Sequence, residues 1–229
     1  MNNKNFSISE AIKFSFRAIL NNFALVFSIN VIYFLFLIIP IAVSAILLSL
    51  SFKSIMFTTD PFSIMRLLAS SLTSIIISIS GFILLMLALS VYNIGVIHVA
   101  LKLYSGENVK FNDLFERYDL APRVIFANIL YFLIVATGLA LFVLPGIFFA
   151  VRLFFYQTYI IDRNLSITDS FKESYALTQS VWWKVFFSLL LFNFISGTIT
   201  KIPFLTLFFG TFVVFATVYI YRNLLESGK

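Results

Sequence analysis

A guanidinium is a planar fork of five N–H donors that suits phosphate and carboxylate. This chain places one, Arg152, inside the apolar run LPGIFFAVRLFFYQTYIID at residues 144–162. Read as one continuous helix, the run puts Tyr156 at i+4 and Tyr159 at i+7 on the face that carries Arg152. Asn93 and Asn193 stand in other apolar stretches from which they can join the same group. Such a constellation receives an anion, for example a lipid phosphate. A structural role is the alternative, in which the guanidinium bonds carbonyls freed where the chain turns at Leu144-Pro145-Gly146 and pins the helix. The residues alone leave both open.

The other chemistry-bearing groups are few. His98 is the single histidine, one turn before Lys102, and one histidine cannot furnish a two-histidine zinc site. Cysteine is absent, which removes thiolate metal sites. No HExxH, Walker or nucleophile-elbow motif occurs, and no carboxylate falls in the middle of an apolar stretch. The expectation is therefore a chain that is not an enzyme, with no cofactor and no metal site. Asn30, Asn93, Asn128 and Asn193 within apolar stretches are read as interhelical hydrogen-bonding groups.

What must position these residues follows from composition. Of 229 residues, 61% are hydrophobic and 11% charged, with a mean hydropathy of +1.01. A soluble domain carries about a quarter charged residues, so the solvent here is lipid. The apolar runs do not alternate as barrel strands do. They approach or exceed the roughly 20 residues a membrane helix needs, and in hydrocarbon a helix satisfies its own backbone. The expected fold is an all-α integral membrane protein, one polytopic domain over 1–229, with six transmembrane helices near 22–50, 72–102, 122–143, 146–162, 182–200 and 203–221. The first two are long enough that they must tilt, bend or protrude, with Pro40 a kink candidate in the first. Asp60-Pro61 reads as a helix start. The turn at 144–146 is expected at the outer face or slightly beneath it.

Cationic residues set the orientation. Lys4, Lys13, Arg17, Lys102, Lys110, Arg117, Arg123, Arg163, Lys172, Lys184, Arg222 and Lys229 fall on one side; only Lys53, Arg66 and Lys201 fall on the other. Both termini are thus expected in the cytoplasm. The net charge of +6 serves this sorting rather than nucleic acid, because the cations are dispersed along the chain at the borders of spans. The first twenty residues lack the apolar core of a cleaved signal, so the first span is expected to insert and stay.

An internal repeat organises the spans. SISEAIKFSFRAILNNFALVF (7–27) aligns without gaps on SITDSFKESYALTQSVWWKVF (166–186), with Ser7/Ser166, Ile8/Ile167, Lys13/Lys172, Ser15/Ser174, Val26/Val185 and Phe27/Phe186 identical. FNDLFERY (111–118) begins a looser copy. Ser7 with Glu10, and Ser166 with Asp169, fit a capping box; in the middle copy Lys110 replaces the serine. Glu10, Lys13, Arg17 and Asn21 share one face of the first copy, and Ile8, Ile12, Phe16 and Ile19 the opposite one. This is the pattern of an amphipathic interfacial helix lying in the headgroup layer. The expectation is three hairpin units, about 7–103, 111–163 and 166–225, each opened by such a helix.

Two stretches carry a family resemblance. In 144–186 a Pro145-Gly146 turn, an apolar span, Asp162 and a helix bearing Ser170, Ser174 and Thr178 lead to Trp183; in 101–118 a basic-Gly-Glu segment leads to Asp113-Leu114-Phe115. Together they resemble a broad group of uncharacterised bacterial six-span proteins. It includes the YciC-like (UPF0259) family, the DUF975 proteins and the membrane domain attached to some glycerophosphodiester phosphodiesterases. The resemblance implies a multi-pass protein of the bacterial plasma (inner) membrane and brings no catalytic residues.

The leading functional expectation is a non-catalytic membrane protein that binds or organises lipid or partner membrane proteins, since basic-edged helices on one side favour anionic cytoplasmic lipids. The other expectation is a passive permease or the membrane subunit of a transport system, for which Gly81, Gly95, Gly138 and Gly197 supply sites of close packing or breakage. An Arg152 within a continuous water-filled cavity favours transport. A lipid-sided groove beneath the interfacial helices favours lipid handling.

Overall fold

The computed structural model describes residues 6–56, 63–199 and 203–227, and these are almost entirely helical. Helix α1 (Ile8–Asn21) leads almost directly into α2 (Phe23–Met56), and α3 is Ser63–Tyr104. Short 3-10 segments at Phe111–Phe115 and Tyr118–Leu120 precede α4 (Ala121–Leu141). Then follow α5 (Val143–Arg152), α6 (Tyr156–Arg163), α7 (Ile167–Leu177), α8 (Trp182–Ile199) and α9 (Pro203–Glu226). The expected helix start at Asp60-Pro61 lies outside the described residues.

Among the described residues, five stretches are long and apolar enough to cross a membrane: Phe23–Ser49, Ala69–Tyr104, Phe111–Leu141, Val143–Arg163 and Phe208–Glu226. The expected span near 182–200 is represented by a shorter apolar stretch, Trp182–Ser196. Large apolar side chains such as Ile39, Ile76, Phe82, Phe132 and Phe194 are more than half exposed. That is the surface of a protein whose solvent is hydrocarbon. Helix α2 continues through Pro40, and the Ser44 hydroxyl donates to the Pro40 carbonyl at 2.8 Å.

Helices α2 and α3 form a long antiparallel hairpin. Tyr33 and Tyr92 pack at 4.9 Å between ring centroids, and Gly81 lies so close to Ser44 that a Cβ there would displace the Ser44 hydroxyl. Helices α4 and α5 form a second, tighter one, in which a Cβ on Gly138 would lie 2.8 Å from the Gly146 Cα. Here the structure corrects one expectation. The turn is the single extended residue Phe142, and Leu144-Pro145-Gly146 forms the first turn of α5.

The elements that precede α2, α4 and α8 each lie along the last helix of another hairpin. Helix α1 runs antiparallel to α9, with Glu10 accepting from the Tyr219 hydroxyl at 3.1 Å, and just past its end Phe23, the first residue of α2, stacks on Phe208 at 5.8 Å. The segment Phe111–Phe115 lies on α3, where Gly95 admits the Leu114 carbonyl. Helix α7 lies on α6. Small residues allow each approach: α1 buries Ala11, Ser15 and Ala18, and α7 buries Ser170 and Ser174. The expected apolar face of α1 is divided accordingly. Ile8, Ile12 and Ile19 are half-buried, whereas Phe16 is 59% exposed.

At both serines the N-cap half of the box forms. Ser7 Oγ accepts from the Glu10 N–H at 3.3 Å, and Ser166 Oγ accepts from the Asp169 N–H at 3.2 Å. The middle element keeps half of one, with the Lys110 N–H donating to Asp113 Oδ2 at 2.7 Å.

Candidate anion groove at Arg152

Arg152 ends α5, and residues Leu153–Phe155 are not α-helical. Nothing local dictates this break, because Arg152-Leu153-Phe154-Phe155-Tyr156 contains neither proline nor glycine. A break within an apolar segment is stable only when the freed backbone groups find partners. Helix α7 supplies them. Ser174 Oγ donates to the Arg152 carbonyl at 3.0 Å and accepts from the Phe155 N–H at 3.0 Å, so one hydroxyl bridges the two helix ends. Thr178 Oγ1 donates to the same carbonyl at 3.2 Å. Ser170, Ser174 and Thr178 recur every four residues along one face of the chain and are fully buried. The Tyr131 hydroxyl adds a bond to the Ala150 carbonyl at 3.1 Å.

The Arg152 guanidinium is thereby aimed away from α6. It lies over the rings of Phe148 and Tyr175, 5.0 and 4.6 Å from their centroids, and Nη1 donates to the Tyr175 carbonyl at 3.3 Å. The residue is only 9% exposed, and its Nε is a buried donor without a partner. The Trp182 indole, 6.0 Å from the Phe148 ring, holds a second buried N–H without a partner. An unpaired buried donor is costly, so two together are notable. Arg152 and Trp182 line one cavity of about 410 Å³ with Phe148, Gln179, Ser180 and Lys184 among its walls. Its lining carries two cationic side chains and no carboxylate. Trp183, at the same lip, is 63% exposed. This arrangement can hold an anion through a guanidinium and an indole donor, with its apolar side open to lipid.

The remaining residues expected at this site lie elsewhere, and the break is the reason. With α5 and α6 out of phase, the i+4 and i+7 relationships to Arg152 do not hold. Tyr156 instead donates to Asn128 Oδ1 at 2.7 Å and stacks on Tyr131 at 5.0 Å. Asn93 donates to Gln157 Oε1 at 3.2 Å, and Gln157 Nε2 donates to Asn128 Oδ1 at 2.8 Å. Asn93 and Tyr156 therefore share a polar cluster beside a cavity of about 250 Å³ between α3, α4, α6 and α9. Tyr159 packs edge-on against Tyr221 at 4.9 Å, beneath the Arg163 guanidinium. Asn193 is exposed and bonds its own helix, at the Leu189 carbonyl. Asn30, Asn93 and Asn128 do make bonds between helices, the first through Thr211 at 3.3 Å.

Charged groups gather at the opposite end of α6 from Arg152. Asp162 accepts from Arg222 at 2.6 Å and from the Tyr221 hydroxyl at 3.0 Å, which ties α6 to α9. Arg123 donates to Asn164, whose left-handed backbone (φ 52°) ends α6. Lys102 reaches both Asp113 and Glu116, at 3.0 and 2.6 Å, and His98 lies 3.0 Å from Glu116. The Lys102 and His98 bonds hold the Glu116 carboxyl below its usual range. At Asp113 burial acts upward, but the Lys110 N–H and Lys102 outweigh it and the net direction is down.

Gln157, Trp182 and Lys184 are the residues of these two sites that sequence reasoning did not assign. Trp182 and Lys184 abut the Ser170/Ser174/Thr178 row, and that row was the available signal. Compared with known family models, curated proteins and solved structures, the chain gives no match.

Proposed function

We propose that this chain is a non-catalytic integral protein of the bacterial inner membrane that binds the phosphate of anionic lipids in the Arg152 groove. Three hairpins, each opened by an element on the cytoplasmic side, place both termini in the cytoplasm in this reading. The quoted motifs would make it a relative of the YciC-like six-span group. The observation that carries the reading is the pair of buried, unpartnered donors, Arg152 Nε and Trp182 Nε1, in one lipid-edged cavity. A guanidinium held against two rings and a carbonyl is already fixed in place, so little entropy is lost when an anion arrives. Lys184 on the rim adds the charge that distinguishes anionic from zwitterionic headgroups.

The permease reading draws on a different feature, the central cavity where Asn93, Tyr156, Gln157, Thr158 and Thr217 meet beside a broken helix. Arg152 is not in that lining, which is why lipid binding is preferred. Native mass spectrometry on protein extracted in mild detergent tests it. Wild type should retain anionic phospholipid. Arg152→Ala, and Trp182→Phe, which removes the N–H and keeps a ring, should each lower retention at least fivefold with the fold intact. Equal retention in all three proteins would refute the proposal.

A further inference from the structure

The groove fixes a depth in the membrane, and that depth disagrees with a middle hairpin that crosses. Helix α5 ends beside the start of α8, since Phe148 lies 6.0 Å from Trp182 and Arg152 lines one cavity with Trp182 and Lys184. From that shared level α8 continues for 18 residues, about 27 Å at ~1.5 Å per residue. That length is close to the ~30 Å of a hydrocarbon core. Helix α5 has only the 10 residues Val143–Arg152 below the same level, about 15 Å. Its partner α4 agrees: Tyr131 is already level with Ala150, and ten residues remain to Leu141, again about 15 Å. The tip thus reaches half the depth that α8 reaches.

The tip is also built for hydrocarbon. GLALFVLPGIFF (138–149) has no charged residue and no side-chain hydrogen-bonding group. Leu141, Phe142, Val143 and Leu144 are 68, 73, 64 and 79% exposed, a surface that water would disfavour. The turn also leaves little backbone bare. Phe142 alone is outside the helices and its N–H reaches the Gly138 carbonyl at 3.0 Å. Pro145, in the first turn of α5, has no N–H to satisfy.

We infer that α4–α5 is a re-entrant hairpin that enters from the cytoplasmic side and stops at the bilayer midplane, so that the exposed faces of α5 and α8 form a slot for one phospholipid of the cytoplasmic leaflet. Its acyl chains lie along Phe149, Phe187 and Leu190, which are 36, 55 and 54% exposed, and the length of the slot is that of a single leaflet. The identity of the occupant rests on the anion reading of the groove; the depth of the hairpin does not.

The chain has no cysteine, so single cysteines are specific probes. Leu144→Cys is compared with Thr59→Cys, between α2 and α3, and Lys172→Cys, on exposed α7. Spin-labelled and reconstituted in phosphatidylglycerol-containing vesicles, position 144 should show the highest ratio of oxygen to soluble-nickel accessibility of the three, the signature of the midplane. In cells an impermeant maleimide should label 59 from outside and leave 144 unreacted. Labelling of 144 from outside, at a rate within threefold of 59, would overturn the re-entrant hairpin. For the occupant, retained lipid should survive 50 mM inorganic phosphate. Displacement by phosphate would make the groove a site for soluble anions and overturn the slot. A midplane label at 144 with no lipid retained by wild type would remove the occupant and the anion reading while the hairpin depth stands. Circular dichroism and thermal unfolding of each variant confirm that it folds.

Discussion

Helices α1 and α7 are aligned by sequence and turn the same small face inward, yet that face performs different work. In α1, Ser15 is fully buried against α9, an unbroken helix that asks for nothing, and its hydroxyl donates to the Ala11 carbonyl of its own helix at 2.8 Å. In α7, the aligned Ser174 is equally buried against a helix that is interrupted, and its hydroxyl leaves α7 to serve the Arg152 carbonyl and the Phe155 N–H. The small face therefore secures close approach in both places, while the partner decides whether the hydroxyl also carries polar bonds. Where it does, the arginine that ends α5 lies buried over Phe148 and Tyr175. The groove is a consequence of that difference.

The comparison breaks most visibly at these serines. Ser174→Ala strands the Phe155 N–H and leaves the Arg152 carbonyl to Thr178 alone, which should cost about 1–3 kcal/mol. Ser15→Ala removes only a bond within one helix and strands no backbone group, so it should cost about 0.5 kcal/mol, the low end of a hydrogen bond's net worth. Thermal unfolding in a single detergent, with both variants beside wild type, measures the gap. Equal losses would mean that the break is held by something other than the hydroxyl.

This contrast also marks how far the sequence could be read. The helical, lipid-solvated class follows from composition, because too few polar side chains exist to cover a water-facing surface. The N-caps at Ser7 and Ser166 follow from local chemistry and form, though neither acidic side chain returns a bond to the cap N–H. The break at Leu153–Phe155 does not, since its cause lies 19 residues away in Ser174 and no proline or glycine marks it. Grouping Tyr156 and Tyr159 with Arg152 presupposes a continuous helix there, and in the structure the two tyrosines meet Asn128 and Tyr221 instead. The packed face of α1 is not legible from hydropathy for a related reason. Hydropathy periodicity identifies the apolar side, but the side that packs on a neighbouring helix in lipid is chosen by size, and Ala11, Ser15 and Ala18 are small.

A smaller effect sharpens the role of the arginine. Arg152→Lys keeps the charge but loses the planar contact with Phe148 and Tyr175. Stability should fall by about 0.5–2 kcal/mol, and lipid retention should drop, because an ammonium has no fork to aim past the Tyr175 carbonyl. At Arg17 in α1, which is exposed, the same exchange should change neither quantity. Matching losses at 152 and 17 would remove the distinction between the two helices.

The smallest effect concerns the middle element, which has neither small-face serine and is fastened instead by charge. Glu116 accepts from Lys102 first and His98 second, and these bonds hold its carboxyl below the ordinary 4.5. A carboxyl lowered on folding contributes stability that is fully present above its ordinary value and is lost as pH falls through the lowered one. The thermal stability gap between wild type and Glu116→Gln should therefore stay constant from pH 7 to about 5 and shrink only in stronger acid. Because the Glu116 side chain is 52% exposed, the gap should be small and should narrow further in 1 M salt, where charges are screened within about 3 Å. A gap already closing between pH 7 and 6 would assign the linkage to a group other than this carboxylate. A gap unchanged down to pH 3 would mean that packing at Gly95, rather than charge, holds the segment to α3.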